Sequence, residues 1–375
     1  MRVLVVLPHP PLPEGSAAAR CAIGLLRGLA SYDVQVQALA ANLGSAPVDS
    51  LPAGLPVEIM PIEVPSIWQA RRDRLLYPNG LLARDPFASR LRERAAEADI
   101  VHFVEPQAAA AMRLVDRPSL AQIHFLTLRD RKITWPWLPE TRTAIELLRA
   151  ERRACRWANW LLANSAEVAR GLASVAPHAH VEVASLALDP AFYIPRAPLG
   201  NPVAGLIGTA RWPPTKRAVE RLLGGVWPRV HERIPEARLL LAGRGMEREA
   251  FSHLPEHEGV EWRGAVPSAT AFLRELGLVL YPLTEGSGVK VKVLEALALG
   301  IPVVTTPDGA EGLGARGGVT VETDDEMLAD AAIALLEDGS VRVAAGEAAH
   351  RSFLEHHTPV LAAKPVVELY ERMLA

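Results

Sequence analysis

The sequence is poor in cysteine: Cys21 and Cys155 are the only two among 375 residues. Two cysteines alone give no support to a disulfide framework, and their spacing is not that of zinc ligands. The sequence therefore supports neither a secreted disulfide scaffold nor a structural zinc site. We expect a cytoplasmic protein.

Long hydrophobic runs are also missing. No segment approaches the roughly 18 consecutive apolar residues that a membrane-spanning helix needs. The first apolar segment, VLVVL, follows Met1 and Arg2 directly and stops at Pro8, so it is too short for a secretory signal. Any membrane contact is therefore expected to be peripheral, at the inner face of the membrane.

The chain also lacks a strong charge imbalance. It has 40 basic and 43 acidic residues, for a net charge of −3, which argues against nucleic acid as a main partner. Lysine is scarce, and most basic residues are arginine. Three of the five lysines, Lys216, Lys290 and Lys292, fall in two glycine-containing loops.

What the chain does have is a large apolar fraction, 49%, arranged as strands that alternate with helical segments. A chain of this length is expected to divide into about two domains. We predict an α/β fold with two doubly wound, Rossmann-like domains facing across a cleft. The predicted limits are 1–190 for the first domain, 191–202 for a proline- and glycine-rich linker, 203–358 for the second domain, and 359–375 for a final helix that could pack back on the first domain.

The segment GSGVKVKVLEALALGIPVVTT, residues 286–306, carries most of the functional information. Its order of turn, helix, stop and strand indicates a crossover unit whose turn lies at the carboxyl edge of a parallel sheet, where ligands bind. Gly286 and Gly288 allow the backbone to approach a ligand, and the helix start and two lysines favour an anion. A purely structural helix-capping turn with solvated lysines is the alternative.

Glu295 lies in the apolar face of that helix, where an ionised carboxylate is costly unless it has a partner. A vicinal diol would serve as that partner, and a salt bridge to one of the lysines is the structural alternative. A second loop, GTARWPPTK, follows the strand at Ala204 and carries Arg211 and Lys216. A guanidinium and an ammonium at one helix start suit a diphosphate, although such residues are more often simply solvated.

These motifs make the second half similar to the retaining, nucleotide-sugar-dependent glycosyltransferases of family 4, which have the GT-B fold. Arg211 and Lys216 match the family's Arg, five-residue step, Lys element. LLLAGRG and VEWRGAVP resemble the strand and loop beside the nucleobase, and Glu295 matches the glutamate that binds the ribose. One position departs from the family pattern of Glu, seven residues, Glu: Ser287 stands where the first Glu is common, and Glu285 is displaced by two positions. A subgroup of the family has small residues and a Gly-x-Gly-x-Lys turn at this point.

The first half resembles the family's acceptor domain by the order of its elements, with Gly15 in the loop after the first strand and His124 at a strand end. The resemblance implies catalytic roles for Arg211, Lys216 and His124. It implies donor or nucleotide contacts from Gly15, Gly208, Gly243, Arg244, Arg263, Ser287, Gly288, Val289, Lys290, Lys292 and Glu295.

The implied reaction moves a sugar from a nucleotide-diphosphate sugar to the hydroxyl of a glycan, lipid-linked or small-molecule acceptor, with no cofactor and no metal. A GT-B sugar-nucleotide epimerase, or a catalytically weak nucleotide-sugar-binding protein, is the alternative function. A dehydrogenase is disfavoured because the first strand is not followed by G-x-G-x-x-G. Segments beginning at Trp68 and Leu128 mix arginine with tryptophan and leucine, which favours peripheral membrane contact; cleft-lining or solvated helix faces are the other interpretation.

Overall fold

The computed structural model describes residues 1–42, 50–63, 81–135, 137–195, 202–313 and 317–375. These residues form two compact units. The first unit comprises Met1–Asp189 and Pro359–Ala375, and the second comprises Pro190–Thr358. Of the predicted linker, residues 196–201 lie outside the described ranges.

The described part of the first unit contains a seven-stranded parallel sheet with the strand order β3-β2-β1-β4-β5-β6-β7. The strands are β1 Arg2–Leu7, β2 Gln35–Asn42, β3 Val57–Pro61, β4 Ile100–Val104, β5 Ser119–Ile123, β6 Trp160–Ala163 and β7 His180–Val183. The helices are α1 Ala17–Ala30, α2 Phe87–Ala96, α3 Glu105–Ala109, α4 Thr127–Asp130, α5 Pro139–Trp157, α6 Ala166–Val175 and, at the end of the chain, α13 Pro359–Leu374.

Both faces of this sheet are covered, as the apolar strands require. Along β1, Leu4 and Val6 belong to one hydrophobic core and Val5 and Leu7 to the other. Side chains alternate between the two faces of a strand, so a run of apolar residues can be buried only when helices cover both faces.

The final helix α13 packs against α1 of the same unit. A Cβ placed on Gly28 of α1 would lie 2.2 Å from the carbonyl oxygen of Pro359, so glycine is required for this close approach. At its other end α13 contributes Tyr370, whose hydroxyl lies 2.6 Å from Nδ1 of the buried His102. Burial lowers the pKa of His102 to about 3, so this imidazole is neutral and structural.

The second unit contains, in the ranges described, a six-stranded parallel sheet with the order β10-β9-β8-β11-β12-β13. Its strands are β8 Val203–Ile207, β9 Arg238–Ala242, β10 Val260–Gly264, β11 Leu278–Tyr281, β12 Val303–Thr305 and β13 Val319–Val321. Its helices are α7 Pro213–Arg221, α8 Trp227–Arg233, α9 Ala269–Leu273, α10 Val291–Ala298, α11 Asp325–Glu337 and α12 Gly339–His356. The predicted α/β class with two doubly wound parallel sheets is confirmed.

In each sheet the strand order reverses once. The reversal lies between β1 and β4 in the first unit and between β8 and β11 in the second. Loops that leave the carboxyl ends of two such strands diverge to opposite faces of the sheet, and the crevice between them is where open α/β sheets bind ligands. The loops after β8 and β11 are those with the predicted phosphate-binding residues.

Candidate functional site

The two predicted phosphate loops of the second unit meet at the point where its strand order reverses. Lys292, in the first turn of α10, donates a hydrogen bond from Nζ to Thr215 Oγ1 at 3.0 Å. Thr215 is in the first turn of α7. The amino-terminal ends of two helices are thus brought together at the carboxyl edge of the sheet, and their dipoles add there in favour of an anion.

Gly208 is the residue that allows this approach. A Cβ at this position would lie 2.6 Å from Nζ of Lys292 and 3.0 Å from Cγ2 of Thr215. Any side chain would therefore push the lysine away from the threonine. Glycine is therefore required at position 208 for steric reasons, whether or not a ligand binds there.

The loop after β9 closes on the same edge. Gly243 has a φ of +125°, and a Cβ there would lie 1.8 Å from the carbonyl oxygen of Gly208. The neighbouring Arg244 is exposed, and its carbonyl accepts a hydrogen bond of 2.9 Å from the backbone N–H of Ala210. The loops after β8 and β9 are therefore joined through their backbones, and the arginine side chain faces solvent.

Arg211 and Lys216 flank the start of α7 with exposed side chains. The helix begins with Pro213 and Pro214, and proline has no backbone N–H to donate. This helix start therefore offers fewer backbone donors than most. Phosphate binding here would depend on the cationic side chains more than is usual for a helix terminus.

Lys292 differs from those two exposed cations because its ammonium is packed among aromatic rings. Nζ lies 4.4 Å from the ring centroid of Tyr281 and 5.6 Å from that of Trp212, and it also donates to the Tyr281 hydroxyl at 3.3 Å. Burial lowers the pKa of Lys292 to about 7; the charge of Lys290 lowers it further and that of Glu295 opposes the change. Lys292 is therefore expected to lose its proton at a much lower pH than an exposed lysine.

The glycine-rich turn is held by a carboxylate that the sequence interpretation did not include. The backbone N–H of Gly288 donates to Glu311 Oε1 at 2.9 Å, and Oε2 of the same group lies 3.7 Å from Nζ of Lys290. Lys290 also donates to the Gly288 carbonyl. Lys290 is thus engaged within the turn. Contacts of Lys290, Ser287 and Val289 with the nucleotide sugar remain predictions; all three residues are buried.

Glu295 is buried, 1% exposed, in the middle of α10. Its Oε1 accepts a hydrogen bond of 2.9 Å from the hydroxyl of Tyr193, which is 3% exposed. The partner that a buried carboxylate requires is therefore a tyrosine more than one hundred positions earlier in the chain.

Two further charged residues near these loops are engaged in ion pairs. Glu285, the displaced acid of the family pattern, pairs with Arg217 of α7. Arg263, on the edge strand β10, lies 3.1 Å from Glu261 and 3.5 Å from Glu275. A role for Arg263 beside the nucleobase remains a prediction.

The first unit gathers its own candidate residues at the reversal between β1 and β4. Gly15 lies in the loop after β1, just before Ser16 caps α1, and a Cβ on it would lie 2.8 Å from Cβ of Ala19. His124 directly follows β5, and its Nδ1 lies 3.6 Å from Oε1 of Glu105, the residue after β4. Glu105 has a φ of +67°, a strained conformation for a residue with a side chain and one found often at functional sites.

Sequence reasoning missed Glu105, Tyr193 and Glu311. For Glu105 and Glu311 a signal was available, because both follow a strand at a carboxyl edge and are acidic residues beside predicted site residues. For Tyr193 the sequence offers none, since its contact with Glu295 depends on the tertiary fold.

Two family models match the chain. Residues 18–192 match the model described as Glycosyltransferase Family 4, and residues 201–338 match the model described as Glycosyl transferases group 1. A comparison with curated proteins found no match.

Solved structures match the chain over nearly its whole length. HepE from Anabaena, in complex with UDP and glucose, has a TM-score of 0.68 at 17% identity, covering 98% of this chain and 99% of that one. Sucrose-phosphate synthase from Thermosynechococcus elongatus has a TM-score of 0.73 at 13% identity, covering 100% and 99%. TarM from S. aureus has a TM-score of 0.70 at 10% identity, covering 100% and 99%. The expected GT-B fold is thereby confirmed.

Two further properties concern only the described ranges. None of their helices is both long and apolar enough to cross a bilayer. Within the same residues, no three His, Cys, Asp or Glu side chains are grouped so as to hold a metal ion.

Proposed function

Since the chain is a glycosyltransferase of the family 4 type, we propose that it transfers a sugar from a nucleotide-diphosphate sugar to an acceptor hydroxyl with retention of configuration at the anomeric carbon. One observation carries the proposal: Lys292 of α10 reaches Thr215 of α7 at 3.0 Å. That contact joins two helix starts and the two cation-bearing loops at one edge of the sheet. The combined positive potential suits a diphosphate.

The chemistry breaks the bond between the anomeric carbon and the diphosphate oxygen, and forms a bond from that carbon to the acceptor oxygen on the same face. The acceptor proton passes to the leaving phosphate. Negative charge grows on the diphosphate as its bond breaks, so Arg211, Lys216 and Lys292 would stabilise the transition state more than the bound donor. Each such contact is worth about 2 to 4 kcal/mol.

Glu295 and the loop after β9 are assigned to the nucleoside. A buried carboxylate is well suited to accept hydrogen bonds from two ribose hydroxyls, and Gly243 with Arg244 would lie beside the base. HepE has been solved with UDP and with UDP-glucose, which supports uridine as the first base to test and a hexose as the first sugar.

The acceptor is assigned to the first unit, with His124 as a contact and Gly15 near both the donor phosphate and the acceptor. Nε2 of His124 is buried and makes no hydrogen bond to any residue in the described ranges, and the carboxylate of Glu105 lies beside Nδ1. An imidazole held in this way keeps one ring nitrogen whose hydrogen-bonding capacity is unused within the described ranges. A cell-envelope glycan, an exopolysaccharide or a natural product would supply the acceptor hydroxyl.

The test of this function is release of nucleoside diphosphate from UDP-glucose, GDP-mannose, dTDP-glucose and ADP-glucose, with and without candidate acceptors. Release by the wild type with one of these donors, and its loss in Arg211→Ala, supports transfer. An epimerase would instead change the sugar without releasing the nucleotide. Tight binding with neither product would indicate a nucleotide-sugar-binding protein.

Metal-independent catalysis is part of the proposal, because the cationic side chains provide the charge that a divalent ion supplies in other transferases. Turnover should be unchanged after dialysis against EDTA. Loss of turnover on chelation, with recovery on adding Mg²⁺ or Mn²⁺, would contradict it.

Peripheral membrane docking is a separate proposal for the first unit. Trp135 and Trp137 stack on each other with ring centroids 5.1 Å apart while remaining 62% and 61% exposed. Ile133 and Leu128 beside them are also exposed, and Lys132 adds a charge. Paired tryptophans beside a cation are typical of residues that insert into the headgroup region of an anionic bilayer. The segment that begins at Trp68 lies outside the described residues.

Sedimentation with vesicles containing anionic phospholipid at low salt tests the docking surface. The wild type should sediment, and Trp135→Ala with Trp137→Ala should remain in the supernatant. A wild type that stays in solution at low salt would rule out this surface as a membrane contact and favour a soluble acceptor.

A further inference from the structure

The turn that follows β11 is contacted by a mostly buried carboxylate from a different loop. Glu311 lies after β12, the strand next to β11 in the sheet, and its side chain is 10% exposed. One carboxylate oxygen accepts the backbone N–H of Gly288 at 2.9 Å. The other lies 3.7 Å from the ammonium of Lys290. Glu311 is therefore fixed at the tip of the turn rather than solvated.

Glu311 contacts the turn next to the one position where the chain departs from the family pattern. Ser287 stands where the pattern of Glu, seven residues, Glu would provide an acid, and Ser287 is the residue directly before Gly288. Glu285 does not replace that acid, because its carboxylate pairs with Arg217 of α7. Glu311 instead brings a carboxylate to the N–H of the next residue along the turn.

Lys290 makes the carboxylate suitable for binding hydroxyl groups. The lysine is 3% exposed, and it also donates to the carbonyl of Gly288. The Lys290 ammonium, 3.7 Å away, supplies a countercharge to the carboxylate. Carboxylate oxygens accept hydrogen bonds, and the hydroxyls of a sugar donate them.

We propose that Glu311 is a sugar-binding residue of the donor site, and that it accepts a hydroxyl of the transferred sugar in place of an acid at position 287. The inference rests on the proposed function, since it requires a nucleotide sugar at these loops. It divides four of the site's cations by role. Arg211, Lys216 and Lys292 serve the diphosphate, and Lys290 serves Glu311.

A role limited to holding the turn would have different consequences. Loss of the turn would weaken binding of the nucleoside diphosphate and of the nucleotide sugar alike, because both use the same backbone. Loss of a sugar contact would weaken the nucleotide sugar alone. The quantity to compare is therefore the affinity for the nucleotide sugar relative to that for the matching nucleoside diphosphate.

The experiment measures both affinities by calorimetry for wild type, Glu311→Gln, and Glu311→Gln combined with Lys290→Met. The probes are UDP with UDP-glucose and GDP with GDP-mannose, and the pair that the wild type binds is used for the variants. Glutamine still accepts the N–H of Gly288, and methionine removes the ammonium that would lose its countercharge. The double variant thus keeps a neutral, hydrogen-bonded turn without an ionised acceptor for the sugar.

Both variants should bind the nucleotide sugar roughly tenfold or more weakly, which is the usual loss for a hydrogen bond to a charged group. Glu311→Gln should bind the nucleoside diphosphate as the wild type does, and the double variant, which also lacks the Lys290 ammonium, is judged on the ratio of the two affinities. Glu285→Gln is the matched control, a carboxylate of the same turn that is paired elsewhere, and should change neither affinity.

Recovery of sugar affinity in the double variant, or an equal loss of both ligands in Glu311→Gln, would overturn the role of Glu311 while leaving the proposed function intact. Binding of neither probe pair by the wild type would overturn the role of Glu311 together with the proposed function.

Discussion

Lys292 donates a hydrogen bond to Thr215 at 3.0 Å across 77 positions of sequence. The contact joins the first turns of α7 and α10, which leave the sheet on either side of the point where the strand order reverses. It also requires Gly208, whose missing side chain leaves room for the ammonium. One polar contact therefore brings together the elements that the sequence motifs had indicated separately.

Lys216 is expected to act on the leaving diphosphate, so Lys216→Ala should lower turnover roughly 30- to 1000-fold, corresponding to about 2 to 4 kcal/mol of transition-state stabilisation. The side chain is exposed, so the fold should be unaffected. The measurement is initial rate against donor concentration. Lys364→Ala, an exposed lysine of α13, is the control and should be fully active; turnover of Lys216→Ala equal to that control would remove Lys216 from the mechanism.

Nucleotide binding is predicted to take up a proton at Lys292. Its pKa is about 7 before the ligand binds, and a neighbouring diphosphate favours the charged form and raises that pKa. Below pH 7 the Lys292 amine is already protonated, so its titration should not make the nucleotide affinity depend on pH. Above pH 7 affinity should fall, by up to about tenfold per pH unit.

Calorimetry at pH 8 in two buffers of different ionisation enthalpy measures this uptake directly. The wild type should take up close to one proton, and Lys292→Met should take up none. The charged and titratable groups around Nζ are Lys290, Glu295 and Tyr281, so an uptake that persists in Lys292→Met would assign the proton to one of them or to the ligand.

Gly243 should tolerate no side chain. Its φ of +125° and the 1.8 Å separation between an added Cβ and the carbonyl oxygen of Gly208 make Gly243→Ala destabilising by about 2 to 5 kcal/mol. Scanning calorimetry should show a lower Tm. Gly224→Ala is the matched control, because no described atom lies within 4 Å of its added Cβ, and it should be neutral or stabilising by about 0.5 to 1 kcal/mol. Equal Tm values for the two variants would show that the loop after β9 rearranges freely.

Glu295→Ala should weaken binding of the free nucleoside diphosphate roughly 10- to 100-fold, the range expected for loss of hydrogen bonds to a charged group. Tyr193→Phe removes the hydroxyl that donates to the same carboxylate but keeps the acid. It should lower stability by about 1.5 to 3 kcal/mol and change nucleotide affinity much less. An unchanged dissociation constant in Glu295→Ala would make that carboxylate a structural partner of Tyr193 only.

The strands that the sequence predicted best are those buried on both faces. The sequence predicts strands at Ile100–Val104, Arg238–Ala242 and Leu278–Tyr281, and β4, β9 and β11 have these limits. All three are mostly apolar and nearly all of their residues are buried. The short β3 was not predicted, since its residues are only half-buried and a proline ends it. Nor was α12 predicted. Its buried residues include a glycine, an alanine, a serine and an arginine, which give no clear apolar period; at Gly346 a Cβ would lie 2.3 Å from the carbonyl oxygen of Gly300.

The predictions for the site also succeeded where local sequence decides the structure and failed where distant residues meet. Glycine spacing and lysines indicated the loops after β8 and β11 because local sequence determines the backbone of a turn. The contacts of Glu295 with Tyr193 and of Gly288 with Glu311 join residues 102 and 23 positions apart. Such contacts follow from strand order and helix packing, which single-sequence patterns do not specify.

One helix prediction shows the limit of local sequence patterns: the sequence predicts a single helix over about 216–231. The structure has α7 and α8 joined by a wider turn at Leu222–Val226, which contains Gly224 and Gly225. A Cβ on Gly225 would lie 2.0 Å from Oδ2 of Asp325, so the wider turn follows from a close contact with α11 rather than from helix propensity.

The most direct test of the account is the thermal shift produced by UDP, GDP, dTDP and ADP on the wild type and on a variant combining Arg211→Ala with Lys216→Ala. A ligand that binds only the folded protein raises its Tm. We predict that one diphosphate stabilises the wild type strongly and the double variant far less. No shift with any of the four, or the same shift in both proteins, would contradict a diphosphate site formed by the loops after β8 and β11.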